Sequence, residues 1–201
     1  MRLLPMGLAA VLVDGLDVAP ATFADAVRHH VGVAVVDVVP GARTVLVTVR
    51  REDDLPAVVD RLRQLEVDRS DPASTGDAVE IPVSYDGPDL VEVATTIGRS
   101  VDEVVELHSG ASYRVEFCGF APGFGYLSGL PGELHLPRRS TPRTRVPAGS
   151  VAIASTYSAV YPTASPGGWH LIGTTSRVMF DADRDPPATL GPGTTVRFRP
   201  A

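Results

Sequence analysis

The sequence predicts an α+β protein in two parts, a small ferredoxin-like α/β sandwich over residues 1–77 and a β-barrel domain over residues 78–201. Three observations carry this reading. The early part of the chain sets β-branched runs and amphipathic stretches in the order β-α-β-β-α, which suits an open two-layer sandwich. The stretch DRSDPASTGDA at 68–78 is polar and small, as a linker is. Beyond it the β segments become short and the turns dense in Gly and Pro, the pattern of a closed or nearly closed barrel.

Each element has its own signal. Leu8–Val13 is an apolar run that reads as the first strand, because it continues into Asp14-Gly15 with no small-residue cleavage site of a secretory leader; a cytoplasmic location follows. Thr22 is placed to cap a helix over 23–31, where Phe23, Ala26, Val27 and His30 share a face and Gly32 ends it. Val33–Val39 is β-branched and reads as a buried strand; Pro40–Arg43 turns the chain, and Thr44–Val49 returns it. Leu55, Val58, Val59, Leu62 and Leu65 repeat at helical spacing. After the linker come a strand at Val79–Ser84, a short helix at Asp89–Ile97 closed by Gly98, and a helix from Val101 to His108 opened by the capping box Ser100–Glu103. Ser112–Gly119 alternates Tyr113, Val115 and Phe117 inward with Arg114 and Glu116 outward. Further β segments are expected at 150–154, 169–174, 177–181 and 195–199.

Composition narrows the function. Hydrophobic content of 44% with 21% charged residues is that of an ordinary globular protein, and no apolar run is long enough to span a membrane. A formal net charge of −6 argues against nonspecific nucleic-acid binding. All 18 basic residues are arginine, so the chain carries neither a P-loop lysine nor a Schiff-base lysine. Cys118 is the only cysteine, which excludes an internal disulfide and a cysteine metal site; His29, His30 and His135 show no ligand spacing, and no metal is expected. Cys118 should face away from Phe117 as a core or interface thiol.

The chemistry concentrates between Phe117 and Thr175. This stretch holds seven of the chain's twelve aromatic residues and, within eight positions, Arg138, Arg139, Arg143 and Arg145. Rigid loops carrying rings and local positive charge build pockets for anionic or planar ligands. In Gly119–Tyr126, turn formers alternate with rings: Phe120, Pro122, Gly123, Phe124 and Tyr126 form either a packed corner or a wall with backbone donors. Pro142 and Pro147 restrain the loop that presents Arg143 and Arg145, while Arg138 and Arg139 read as peripheral. Tyr161, Ser165, Gly167 and Gly168 form a tight YPTASPGG turn; Ser165 lacks both a nucleophile elbow and triad partners, and Trp169 reads as structural. His108 ends its helix, where it either caps the helix dipole or serves a proton-transfer role.

The blocks GFAPGFGYL, TPRTRVPAGSVAIA and YPTASPGGWHLIG, in this order, resemble the allophanate hydrolase subunit 1 family, also called the KipI family or the family of 5-oxoprolinase B subunits. The resemblance is strong over about residues 80–201 and weaker before them. It implies a cyclophilin-like barrel and a subunit of an ATP-dependent 5-oxoprolinase that opens 5-oxo-L-proline to L-glutamate. ATP with Mg2+ is then needed at the level of the complex. The implied partners are a C subunit resembling allophanate hydrolase subunit 2 and a lactam-utilisation A subunit. With the resemblance, His108 and Arg145 become the expected catalytic residues. Phe120, Pro122, Gly123, Phe124, Tyr126, Arg143, Pro147, Tyr161, Ser165, Gly167 and Gly168 become the expected substrate-binding set. A lysine-free half-site shared with the C subunit is the expected arrangement, inactive alone. Two alternatives stay open from the family's breadth: an inhibitor of a sensor histidine kinase, and a carboxyltransferase-type domain of urea or allophanate metabolism.

Overall fold

The computed structural model describes residues 1–67 and 78–201, so the expected linker falls, but for its last residue, outside the described residues. The chain divides into two compact units, Met1–Thr75 and Gly76–Ala201. No helix among the described residues is long and apolar enough to cross a membrane.

In the first unit β1 (Arg2–Pro5), β2 (Ala10–Asp14), β3 (Val35–Pro40) and β4 (Thr44–Val49) form a sheet in the order β1-β2-β4-β3. Helices α1 (Pro20–His30) and α2 (Leu55–Gln64) bury Phe23, Val27, Val58 and Leu62 against Val11, Val13, Val45 and Val47 of the sheet. Strand β4 runs antiparallel to both β2 and β3, so those two run parallel across it, the split arrangement of a ferredoxin-like sandwich. Beside β2, antiparallel, lies β1, which the sequence reading missed because its mostly exposed residues show no alternation. Helix α1 starts at Pro20 and not after Thr22: proline fits the first helical turn, where its missing N–H needs no partner, and no side chain caps it. Strand β3 is an edge strand and not a buried one. Val33 precedes it at 95% exposure, and Val36 and Val39 face solvent. β-Branched content favours a strand, but position in the sheet decides its burial.

The second unit contains β5 (Val79–Val83), α3 (Leu90–Ile97), α4 (Val101–Gly110), β6 (Tyr113–Cys118), β7 (Gly125–Ser128), β8 (Arg143–Val146), β9 (Ser150–Ala154), β10 (Tyr157–Val160), β11 (Ser165–Gly167), β12 (His170–Thr174) and β13 (Thr195–Pro200). Seven strands pair in the order β12-β9-β10-β7-β6-β13-β5. The two outermost strands then meet, as Ser84 and Thr174 exchange backbone hydrogen bonds of 2.9 and 2.8 Å. That bridge turns an open sheet into a nearly closed barrel, and the expected α+β class holds. Inside lie Ile81, Val115, Leu127, Ile153, Ile172 and Phe198, joined by Leu90, Val93 and Val104 from the helices. The end of α3 and the start of α4 are as predicted, while α4 runs on to Gly110, two residues past its expected end at His108. Gly98 takes φ +68° after α3, and Ser100 and Glu103 hydrogen-bond reciprocally at the start of α4.

Two departures shape the site. The expected strand at 177–181 is no strand; Phe180 makes only an isolated bridge to Ala188. The alternation of β6 breaks at a register shift between Val115 and Phe117. A bulge moves the next side chain to the opposite face. Phe117 therefore stacks on Tyr126, with ring centroids 4.2 Å apart, while Cys118 packs against the barrel core. On the outer face of the sheet a second core forms from Phe124, Val146, Tyr161, Trp169 and Leu171, seated over Ala152, Ala154 and Ala159. The small alanines leave depth for the rings. Strand β9 is buried on both faces because this second core covers it.

Candidate active site on the outer face of the barrel

The outer core opens into a cleft of about 90 Å³, walled by Phe120, Phe124, Tyr126, Tyr161 and Trp169, with Gly167-Gly168 and Arg138 completing it. The rings meet edge to face: Phe124 lies 5.3 Å from Tyr161 and 5.6 Å from Trp169, with interplanar angles of 82° and 88°. Edge-to-face contact fixes each ring against its neighbour, so the wall is preorganised. Gly167 is required here, since a β-carbon would sit 2.3 Å from the Tyr161 hydroxyl oxygen. Gly123 is needed for the loop itself: it adopts φ +81°, and a β-carbon would lie 2.6 Å from Cβ of Phe180.

Of the residues expected at a binding site, Phe120, Phe124, Tyr126, Tyr161, Gly167 and Gly168 meet in this cleft. Arg138 and Trp169, read from sequence as peripheral and structural, join them. Pro122 and Pro147 are exposed and do not line it; the Pro147 carbonyl accepts the Ser150 hydroxyl at 2.8 Å. Ser165 pairs with Val146 across the two-stranded β8–β11 ribbon, and its Oγ is buried without a hydrogen bond among the described residues.

The arginine loop divides by partner. Asp89, only 2% exposed, accepts Nη2 of Arg143 at 2.6 Å, Nη1 of Arg139 at 3.0 Å and the Leu171 N–H at 2.7 Å. Arg139 also reaches Glu92 at 2.7 Å. Burial pushes the Asp89 carboxyl up, but the hydrogen bonds from Arg143 and Leu171, with the charges of both arginines, outweigh it and hold the group below the usual carboxylate range. Arg143, expected to bind substrate, therefore anchors the ribbon to the start of α3, although its buried Nη1 finds no partner among the described residues. Arg145 is exposed on β8. Sequence reasoning took Asp89 as the first residue of a helix and gave it no site role; it stands just ahead of α3, and its side chain makes no cap bond.

His108 lies elsewhere. It is fully buried in the barrel, with ring centroids of Phe198 and Tyr113 at 4.5 and 5.3 Å. Nδ1 is 2.8 Å from the Tyr85 hydroxyl and Nε2 is 2.9 Å from Oγ of Ser158. Ser158 donates to the Ala152 carbonyl at 3.3 Å, so its oxygen accepts from the ring. The tautomer is thereby set: Tyr85 O–H donates to Nδ1, and Nε2–H donates to Ser158. Burial lowers the imidazole to about 3, and it stays neutral. The expected place of His108 beside the pocket is corrected by this geometry, as is its reading as a charged helix cap. Its buried ring has no solvent-facing edge and does not line the cleft.

Beyond Tyr126 the aromatic wall continues through Tyr157 and Phe117. The Tyr157 hydroxyl hydrogen-bonds Glu116, whose carboxyl is pushed up by burial. The bulge in β6 brought this group together, and no local pattern announced it.

Residues 1–190 match the family model described as carboxyltransferase domain, subdomain C and D. This chain belongs to that carboxyltransferase-domain family. A relative from Escherichia coli O157:H7, named as the B subunit of 5-oxoprolinase, is 48% identical over 172 residues, covering 83% of this chain and 78% of that protein. A relative of the same name from Haemophilus influenzae is 42% identical over 82% of this chain and 78% of its own length. Among solved structures, TTHA0988 superposes with a TM-score of 0.81 at 36% identity over 96% of this chain. The chain spans only 40% of the length of TTHA0988. The urea amidolyase of K. lactis, at 19% identity and a TM-score of 0.70, covers all of this chain with 16% of its own length and shares the fold. The carboxyltransferase-domain fold thus occurs both as a chain of this size and inside longer ones.

Proposed function

We propose that the chain is the B subunit of a prokaryotic ATP-dependent 5-oxoprolinase, which opens 5-oxo-L-proline to L-glutamate together with a C-type subunit and a lactam-utilisation A subunit in the cytoplasm. The observation that carries this reading is the likeness, over most of both chains, to the Escherichia coli O157:H7 protein of that name. Ring opening breaks the lactam C–N bond, adds water oxygen to the carbonyl carbon and returns a proton to nitrogen. An unstrained amide resists this attack, so the reaction needs activation of its oxygen, the part expected of ATP with Mg2+.

The cleft residues do not fit a nucleoside triphosphate. The space is about 90 Å³, Arg138 is its only charged lining residue, and the chain has no lysine. No step through the nucleotide is therefore assigned to this chain. Its own contribution is a rigid aromatic wall that holds and orients a ligand, with Asp89, Arg139 and Arg143 fixing the ribbon beside it. His108 serves the barrel and not proton transfer at the cleft.

A second reading, carboxyl transfer, is favoured by the matching family description alone. Both are tested by purifying the tagged chain with whatever accompanies it. The expected result is 5-oxoproline-dependent ATP hydrolysis with glutamate release by the complex, and none by the chain alone. A complex that instead carboxylates a small amide from a biotin carrier, with no response to 5-oxoproline, would overturn the proposal.

A further inference from the structure

Two features of the cleft have no compensation among the described residues. Phe120 holds φ +70°, the left-handed region that bulky side chains avoid, and the residue is 60% exposed at the mouth. The loop enforces this: Ala121 N–H donates to Gly119 at 2.9 Å, Phe124 N–H to Ala121 at 3.0 Å and Gly119 N–H to Phe124 at 3.2 Å. The ring is thus held over Phe124, 5.2 Å away, and not folded into a core. The second feature is Arg138. Its neighbours Arg139 and Arg143 are tied to Asp89, but Arg138 is exposed and makes no hydrogen bond or ion pair among the described residues. Arg138 lines the cleft together with Tyr161, and its charge favours the ionised form of that hydroxyl.

We propose that this cleft is a subsite for a small ring-bearing carboxylic acid, with Phe120 capping the ring face and Arg138 taking the carboxylate, and that the nucleotide of the reaction binds outside it. Naming the acid as 5-oxoproline rests on the function proposed above; the class of ligand does not. Size selects the class. A drug-sized ligand needs about 300–1,000 Å³, whereas a water fills about 30 Å³. A cleft of about 90 Å³ suits one small ring and is too small to enclose a nucleotide. Charge selects it too: one free guanidinium matches one carboxylate in a bidentate pair, not the several charges of a triphosphate. The strained backbone at Phe120 goes with a ring placed at the mouth of the cleft.

The test uses the full chain and the copurified complex, with 5-oxo-L-proline, cyclopentanecarboxylate and ATP as probes. Calorimetry measures binding to the complex, and emission of Trp169, the only tryptophan, reports the cleft in the chain alone. Both acids should bind and shift Trp169 emission. Arg138→Gln should weaken both by about 10- to 100-fold. Phe120→Gly should weaken both without lowering the melting temperature, since glycine accepts the backbone conformation, and Phe120→Tyr should bind as the wild type does. Cyclopentanecarboxylate binding that is lost in Arg138→Gln, with 5-oxoproline inert, would uphold the subsite and remove the 5-oxoprolinase reading. Turnover of 5-oxoproline with KM unchanged in both variants would overturn the subsite and leave that reading intact. Displacement of cyclopentanecarboxylate by ATP, or failure of both acids to bind the complex, would also overturn it.

Discussion

Replacing His108 by glutamine tests the reading of the barrel interior most directly. The imidazole is held neutral, with a folded pKa lowered by burial from 6.5 to about 3. Between those values the unfolded chain binds a proton that the folded chain refuses. Stability from this residue is therefore fully present above pH 6.5 and is lost as pH falls toward 3. The slope is about 1.4 kcal/mol per pH unit, so the wild type loses about 2 kcal/mol from His108 alone between about pH 6.5 and pH 5. Glutamine is neutral throughout and can still offer one donor and one acceptor to Ser158 and Tyr85. At neutral pH the variant should be less stable by about 1–3 kcal/mol through imperfect hydrogen bonds. The assay is urea unfolding of both full chains at neutral pH and at about pH 5, taking the difference at each pH so that all other titrations cancel. The gap should narrow by about 2 kcal/mol, or reverse, on acidification. Parallel stability curves would refute the buried neutral histidine. A strong fall in saturated activity of the complex, with stability unchanged, would return His108 to the chemistry.

Asp89→Ala leaves Arg143 and Arg139 without their shared carboxylate and should cost about 3–5 kcal/mol in denaturant unfolding. A loss below about 1 kcal/mol would refute its role as the ribbon's anchor. Because the Asp89 carboxyl is held below its usual range, its contribution is present above the unfolded carboxylate pKa and disappears as pH falls through the lowered one. Gly167→Ala puts a methyl group 2.3 Å from the Tyr161 hydroxyl oxygen and should cost about 1–3 kcal/mol and shift Trp169 emission. Wild-type emission and stability would show that the cleft wall yields. Ser100→Ala removes a capping-box bond at α4 and should cost about 1 kcal/mol, read by thermal melting.

The sequence alone determined what acts within a few residues. Gly98 announced the end of α3, the Ser100–Glu103 box the start of α4, periodicity α2, and turn density the barrel. The crowding of rings between Phe117 and Trp169 marked where a cleft would form, because rings spaced by glycine and proline cannot all enter one core. Tertiary structure alone decided which face and which partner each side chain took. One bulged residue in β6 sent Phe117 to the outer wall against the pattern of its own strand. Asp89 chose Arg139 and Arg143 from 50 and 54 positions away, and Arg138, at the cleft, has no such partner among the described residues. Ser158, 50 positions from His108, helped draw that histidine inside. Caps, turns and periodicity are energies between near neighbours and are written in the local sequence. The pairing of charges and the burial of polar groups depend on which surfaces the closed barrel brings together, and no stretch of chain carries that information by itself.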